Sequence, residues 1–341
     1  MQALSSTAVT NFVPICLKSI ANMKWNPEPI EKRIKLYFKD NELLRLALIH
    51  RSYAQLIGVP EHDNQRLEFL GEAMLNLIIT DYFYHNFGHM EINKLKAVRE
   101  KLTTGERLTT LWHNLDLGGA YPFLGLKEER HRLRVKPKNP FADALEALIG
   151  AISLDRGFSQ ARNWTVKNLI APVLEKHLKD NQERLDPQKQ RNLLSNALLR
   201  AIVSNYLYNH LPSVETRRLK SLCKEIIATK RVAEYNGQLK GEDLKILEEK
   251  LDKVPAKPFK ALLATIYLDY NTANTKSSFN RTSQWFVEKF IDKEEVLRKA
   301  VLLLLKDGKP QKWIIRHVMG YESKDYHAGR DRFNELLEEQ V

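Results

Sequence analysis

The chain is poor in residues that crosslink, break helices or cross membranes. Its 341 residues include two cysteines, 14 glycines and 13 prolines. Cys16 and Cys223 are far apart in sequence, so they predict neither a disulfide framework nor a cysteine metal site, and they fit a reducing compartment. No apolar run approaches the roughly 20 residues that span a bilayer. We therefore interpret the chain as neither a disulfide-rich nor a membrane-spanning protein.

Negative charge is also scarce relative to positive charge. The formal net charge is +12 and the pI is near 9.4, which favours a polyanionic partner such as nucleic acid over a merely soluble basic protein. The first acidic residue is Glu28, as in an organellar transit peptide, but the segment before it has no arginine, which argues against one. We expect a cytoplasmic protein, with an organellar location as the alternative.

One helical pattern occurs twice. The segment that begins at Gln65 returns 124 positions later at Lys189, and the register holds to Arg107 and Arg231. After a loop ten residues shorter, residues 147–155 match residues 261–269. Helical periodicity dominates in both copies. The sequence predicts an all-α protein with two tandem domains that form an intramolecular pseudo-dimer, plus a short helical C-terminal extension.

The predicted boundaries follow charge-rich and Pro/Gly-rich segments. They give a leader at 1–29, a first domain at 30–176, a linker at 177–188, a second domain at 189–292 and an extension at 293–341. Within the first domain we expect helices at 41–57, 63–86, 91–113, 140–155 and 158–176. The extension shows a helix–turn–helix pattern and no alternating strands. This pattern argues against a double-stranded RNA-binding domain and leaves packing, oligomerisation or a nucleic-acid-reading role open.

Two acidic pairs stand on apolar helical faces of the first copy. Glu68 and Glu72 are four residues apart, and Asp143 and Glu146 are three apart, so each pair shares one face. Isolated pairs of this kind are usually solvated or paired with Lys and Arg. If the two apolar faces pack together, however, four carboxylates meet, and a divalent cation such as Mg²⁺ resolves their repulsion.

The second copy changes both pairs together. Glu68 and Glu72 become Asn192 and Asn196, whereas Asp143 and Glu146 become Lys257 and Lys260. The apolar positions mostly persist. This concerted change indicates that the four acids belong to one site, and that the second copy keeps the fold without metal chemistry.

Three long motifs then resemble the ribonuclease III catalytic domain. They are HRSYA at 50–54, NQRLEFLGEAML at 64–75, and DALEALIGA with LDRG at 143–157. The resemblance covers about residues 35–170. It implies an all-α domain that works as a dimer with a valley for double-stranded RNA. It also implies one Mg²⁺-dependent centre per domain, which cuts one strand and leaves 5′-phosphate and 3′-hydroxyl ends.

The resemblance implies catalytic, metal-binding roles for four acids and a further metal-site position at Glu91; the four are Glu68, Glu72, Asp143 and Glu146. Mn²⁺ can substitute for Mg²⁺ in this interpretation. The sequence departs from the family pattern at Glu72, where Asp is usual, and at Gln65, where Glu is usual. Because Mg²⁺ is strict about geometry, these departures put full activity in question.

Basic residues provide candidate contacts to an RNA backbone, although charge runs are often only solvated faces. The candidates are Arg130, Arg132, Arg134, Lys136, Lys138, Arg217, Arg218, Lys220, Lys257 and Lys260.

The leading hypothesis is a Mg²⁺-dependent endoribonuclease that nicks double-stranded or hairpin RNA through a single active centre. A homodimer that pairs two first domains would restore double cuts. The alternative is a catalytically silent RNA-binding protein in ribosome assembly or intron splicing, with ribosomal RNA or the ribosome as its partner. Neither hypothesis involves a membrane.

Overall fold

The computed structural model describes residues 25–87, 91–117, 121, 123–125, 140–172, 174, 187–272 and 278–338. Within these ranges the secondary structure is helical, and strand-like pairing is limited to one isolated bridge between Ile49 and Phe123. The predicted all-α class is confirmed. None of the helices in the described ranges combines the length and apolarity needed to cross a membrane.

The first helical unit contains eight α-helices in its described residues. They are α1 Glu28–Ile34, α2 Asn41–Ala47, α3 Arg51–Leu56, α4 Gln65–Asn86, α5 Ile92–Leu102, α6 Gly105–Asn114, α7 Pro140–Arg156 and α8 Phe158–Thr165. The last of these continues as π-helical turns at Val166–Ile170.

Two of the predicted helices are split by capping side chains. The prediction for 41–57 is wrong at its middle, because His50 caps a new helix by accepting a hydrogen bond from the Ser52 backbone N–H. The prediction for 91–113 is split in the same way, since the Thr104 hydroxyl accepts from the Arg107 N–H at 3.2 Å. Such side chains compete with helix continuation for the backbone.

The described residues of the second unit and of the extension are also helical. The second unit contains α9 Pro187–His210, α10 Thr216–Ile226, α11 Thr229–Gly237, α12 Gly241–Lys250, α13 Pro258–Thr272 and α14 Ser278–Phe290. The extension contains α15 Lys293–Lys306, α16 Gln311–His317, a 3₁₀ turn Ser323–Asp325 and α17 Tyr326–Glu338. Most of the predicted leader and linker lies outside the described residues, and the domain boundaries remain predictions.

Charge pairs attach the extension to the second unit. Asp307 accepts from Arg218, while Glu295 accepts from Arg231. Helix α15 packs on α10, whose Leu219 and Leu222 are fully buried. The described part of the extension, 293–338, contains helices and no strand, as the sequence pattern predicted.

Helices α4 and α7 pack so closely that their backbones touch. An ideal Cβ added at Gly71 would lie 1.7 Å from the Glu146 carbonyl oxygen. A Cβ at Gly150 would lie 2.5 Å from the Leu67 carbonyl oxygen. Only glycine leaves room for this approach. The contact sets the depth and register at which the acidic faces of the two helices meet.

The two units share an interface along α4, which packs against α9. Arg66 on α4 donates to the carbonyl oxygens of Val214 at 2.5 Å and Tyr208 at 2.9 Å, and its guanidinium lies over the Tyr208 ring. Phe158 stacks on Phe279 with ring centroids 4.9 Å apart. One continuous hydrophobic core therefore includes residues of both units.

Asp81 anchors a second polar link across this interface. Its fully buried carboxylate accepts from Arg162 Nε at 2.5 Å and from the Tyr267 hydroxyl of α13 at 3.0 Å, and it lies 3.3 Å from His85 Nδ1. Burial pushes the pKa of Asp81 upward, but the His85 hydrogen bond and the Arg162 charge outweigh it and lower the pKa. The hydrogen bond to Asp81 raises the pKa of His85.

We expect Gly71→Ala to destabilise the protein by about 1–3 kcal/mol, because the added methyl group must push α4 and α7 apart. The matched control is Gly105→Ala, since nothing lies within 4 Å of a Cβ at Gly105. Urea denaturation of both variants measures the difference. Equal stabilities would contradict the backbone contact.

We also expect His85→Gln to lower stability in a pH-dependent way. The raised pKa of His85 means that its stabilising effect is complete below the unfolded pKa of about 6.5 and is lost as pH rises through the folded pKa. The difference should stay below about 1 kcal/mol, because about a third of the side chain is exposed (35%). Urea titrations from about pH 5.5 to 9 measure it. Parallel curves for the two proteins would contradict the His85–Asp81 pair.

Candidate active site

Three carboxylates converge where α4 faces α7. Glu68 projects from α4, and Asp143 and Glu146 project from one face of α7. One oxygen atom from each carboxylate lies within 4.8 Å of the other two, and all three residues are partly buried. This is the one such group of His, Cys, Asp or Glu side chains found among the described residues. Three of the four acids predicted from spacing therefore meet.

Burial and the neighbouring carboxylates shift the pKa of Glu146. Burial raises the pKa of the Glu146 carboxyl well above its usual range. The negative charges of Glu72, Glu68 and Asp143 raise this pKa further, while the Lys220 ammonium lowers it. A buried carboxyl among like charges either takes up a proton or requires a cation beside it.

The donor set fits a hard divalent cation. Carboxylate oxygens are the ligands that Mg²⁺ and Mn²⁺ prefer, and these cations commonly keep several waters with few protein ligands. Three oxygens within 4.8 Å of one another can share one such ion.

Glu72 lies outside that group of three. Its Oε1 accepts from Arg200 Nη2 at 2.7 Å, so this predicted ligand forms an ion pair with a side chain of the second unit. Glu91 begins α5, and its Oε1 accepts from Asn93 Nδ2 at 3.0 Å. Metal ligation by Glu72 and Glu91 stays a prediction.

A second cation of the second unit reaches the acidic group itself. Lys220 on α10 places its Nζ 3.2 Å from Glu68 Oε1. The sequence predicted Lys220 as an RNA contact on the basis of charge and not as a neighbour of Glu68. Arg200 was missed, although it occupies the register position of Asn76 in the first copy. The sequence shows that Arg200 is a positive charge gained relative to Asn76, but its pairing with Glu72 depends on how the two units dock.

The other predicted RNA contacts are dispersed. Arg218 and Arg217 both pair with Asp307, at 3.5 Å for Arg217. Lys257 is exposed, and burial lowers the pKa of the half-buried Lys260. The basic run that contains Arg130, Arg132, Arg134, Lys136 and Lys138 lies outside the described residues.

Comparison with known proteins identifies the fold that carries this site. The family model described as Ribonuclease-III-like matches residues 40–173. Ribonuclease 3 of Syntrophomonas wolfei is 40% identical over 141 residues, which are 41% of this chain and 59% of that protein. Ribonuclease 3 of Borreliella burgdorferi is 38% identical over 135 residues, or 40% of this chain and 54% of that protein.

A solved structure of the nuclease domain of ribonuclease III from Campylobacter jejuni is 34% identical, with a TM-score of 0.38. The match covers 43% of this chain and 97% of that domain. The chain spans little more than half the length of the two curated relatives, at 59% and 54%.

The described fold is thus a helical domain with an oxygen-rich site for a divalent cation. By the match at residues 40–173, within which the three carboxylates lie, this chain belongs to the ribonuclease III family.

We expect Glu146→Gln to stabilise the metal-free protein at neutral pH. A raised carboxyl pKa means that the folded state holds the proton more tightly than the unfolded state, so wild type loses stability as pH rises above the ordinary value of 4.5. The glutamine side chain of the variant does not titrate, so the variant does not lose stability in this way. Urea denaturation in EDTA at about pH 4 and 7 measures the gap, which should open only at the higher pH.

Mn²⁺ should reverse the ranking, because it binds the wild-type carboxylates and stabilises the folded state by about 2.7 kcal/mol at a hundred times its Kd. Glu100→Gln, which neutralises an exposed acid on α5, is the control and should respond to Mn²⁺ as wild type does. Equal stabilisation of Glu146→Gln and wild type would contradict the metal site.

Proposed function

We propose that this chain is an endoribonuclease that hydrolyses phosphodiester bonds in double-stranded or hairpin RNA. The observation that carries the proposal is the convergence of Glu68, Asp143 and Glu146 inside the ribonuclease III-like segment 40–173. A protein that only bound RNA would gain nothing from three clustered carboxylates facing a polyanion, because each repels the phosphates. The relatives that match this segment bear the name Ribonuclease 3.

Each carboxylate has a role in the proposal. Glu68, Asp143 and Glu146 would hold Mg²⁺, with Mn²⁺ as a substitute. When bound, the cation lowers the pKa of a coordinated water and neutralises charge on the phosphate. The protein needs no nucleophile of its own. The close contact at Gly71 and Gly150 keeps the carboxylates of α4 and α7 in register with each other.

We further propose that the two helical units form an intramolecular pseudo-dimer with one active centre. Three observations support it: α4 packs against α9, its counterpart in the repeat; Arg66 binds the Tyr208 and Val214 carbonyls; and the Tyr267 hydroxyl binds Asp81. The second unit has Asn192 and Asn196 in place of two acids, and lysines in place of the others. One centre then cuts one strand of the RNA.

The compartment stays a prediction, as does a ribosomal partner. Cys223 is buried against the Ser204 hydroxyl, with sulfur and oxygen 3.6 Å apart, and Cys16 lies outside the described residues. This burial is compatible with the reducing compartment that the cysteine count predicted.

A catalytically silent RNA-binding protein is the second candidate. One observation favours it: cationic side chains hold two of the four predicted acids, with Arg200 on Glu72 and Lys220 on Glu68. A site whose carboxylates were permanently neutralised in this way would bind RNA without cutting it.

The test is cleavage of an end-labelled RNA hairpin by the full chain in Mg²⁺. Asp143→Asn/Glu146→Gln should slow cleavage at least about a hundred-fold, since several kcal/mol of charge stabilisation disappear. Glu100→Gln/Glu106→Gln, which removes two exposed acids, is the matched control and should cut at the wild-type rate. Labelling each strand in turn shows whether one strand is cut or both. Equal RNA binding by all three proteins without cleavage by any would establish the silent candidate.

A further inference from the structure

The second unit lost its acids but places two cations at the acidic site of the first. Arg200 extends from α9 to Glu72, with Nη2 and Oε1 2.7 Å apart. Lys220 extends from α10 to Glu68, with Nζ and Oε1 3.2 Å apart. The partners are 128 and 152 residues apart in sequence, so the fold and not local sequence brings them together.

The side chains of both pairs are partly exposed to solvent. The exposed fraction of the side chain is 40% for Arg200 and 40% for Lys220. Glu68 is more enclosed, at 16%. Lys220 therefore contacts an enclosed carboxylate with a side chain that is itself partly exposed to solvent.

Arg200 has no charged counterpart in the first copy of the repeat. Its register counterpart is Asn76, and the counterpart of its partner Glu72 is Asn196. In the first pair Glu72 is an acid and Arg200 is a base, whereas their counterparts Asn196 and Asn76 are both neutral amides. The two positions are matched in charge within one chain.

We propose that the second helical unit acts directly on the acidic site, with Lys220 and Arg200 as positioning residues that hold Glu68 and Glu72 and set the affinity of the site for a divalent cation. The inference rests on the proposed function, because it takes the three converging carboxylates as the metal site.

Lys220 and a metal ion compete for the same oxygen atom. An ammonium about 3 Å from a ligand carboxylate repels a divalent cation at that carboxylate, and the repulsion is appreciable even in water. Removing the ammonium while keeping the length of the side chain should therefore tighten metal binding by about ten-fold or more.

Arg200 acts through Glu72. While the guanidinium holds Glu72, that carboxylate stays out of the group formed by Glu68, Asp143 and Glu146. Removal of Arg200 frees a fourth carboxylate one helical turn from Glu68, where it adds negative charge and a ligand oxygen. The gain in metal affinity should then depend on Glu72.

The test measures Mn²⁺ binding to the full chain without RNA, from the electron paramagnetic resonance signal of free Mn²⁺. Lys220→Met should bind Mn²⁺ about ten-fold more tightly than wild type, and Lys220→Arg should restore the wild-type affinity because it restores the charge. Lys224→Met removes an exposed lysine from the same helix and should leave the affinity unchanged. Thermal melts establish that each variant is folded.

A double-mutant cycle tests the Arg200 half of the inference. Arg200→Met should tighten Mn²⁺ binding, Glu72→Gln should change it little, and Arg200→Met/Glu72→Gln should return to about the wild-type value. Additive effects of the two substitutions would overturn the role given to Arg200. Such an outcome would mean that Arg200 acts only through its own charge.

The outcomes separate this inference from the proposed function. If wild type binds Mn²⁺ and Asp143→Asn/Glu146→Gln does not, but Lys220→Met binds like wild type, the inference is wrong and the metal site stands. A loss of RNA affinity in Lys220→Met without any change in Mn²⁺ affinity would likewise assign Lys220 to RNA alone. If wild type binds no Mn²⁺, the metal site and the inference both fail.

Discussion

The close approach of α4 and α7 at Gly71 and Gly150 determines what this protein can do. Because the two backbones touch there, Glu68 and Glu146 cannot spread apart into solvent as exposed acids on separate helices would. The apolar residues around the contact are fully buried and offset the repulsion that results. In the second unit Ser195 and Ala264 occupy the glycine positions, and the acids are absent as well. The two glycines and the carboxylates therefore occur together in one copy and are absent together from the other.

Helix α4 packs against α7 on one side and against α9 of the second unit on another. Glu68 meets the carboxylates of α7, while Arg66, Glu72 and Asp81 contact the second unit along the length of α4. Helix α4, which carries Glu68, is therefore held by partners on both sides. This gives a physical reason for the second unit to keep its fold although it lacks the acids. Without it, Asp81 would lose the Tyr267 hydroxyl and Arg66 would lose the Val214 and Tyr208 carbonyl oxygens, and each buried group left without such a hydrogen bond costs about 1–3 kcal/mol.

Sequence alone predicted most of the helices, because periodicity is a local signal, and three of the four acids that it predicted to meet do meet. Helical periodicity gave α4 and α7 to within about two residues at each end, and the i,i+3 spacing of Asp143 and Glu146 placed both on one face. The breaks at His50 and Thr104 were missed, because a capping side chain is a competition that periodicity does not register. The pairs Arg200–Glu72 and Lys220–Glu68 were missed, since they depend on how two distant units dock.

The repeat itself explains how one site became asymmetric. In a dimer of two identical chains, the residue facing each acidic site is the same on both sides, so any cation introduced at one site appears at the other. A single chain with two copies has no such restriction. Arg200 therefore pairs with Glu72, whereas their counterparts in the other copy, Asn76 and Asn196, are both neutral amides. Two different copies in one chain thus allow the second unit to supply positive charge where the first unit concentrates negative charge.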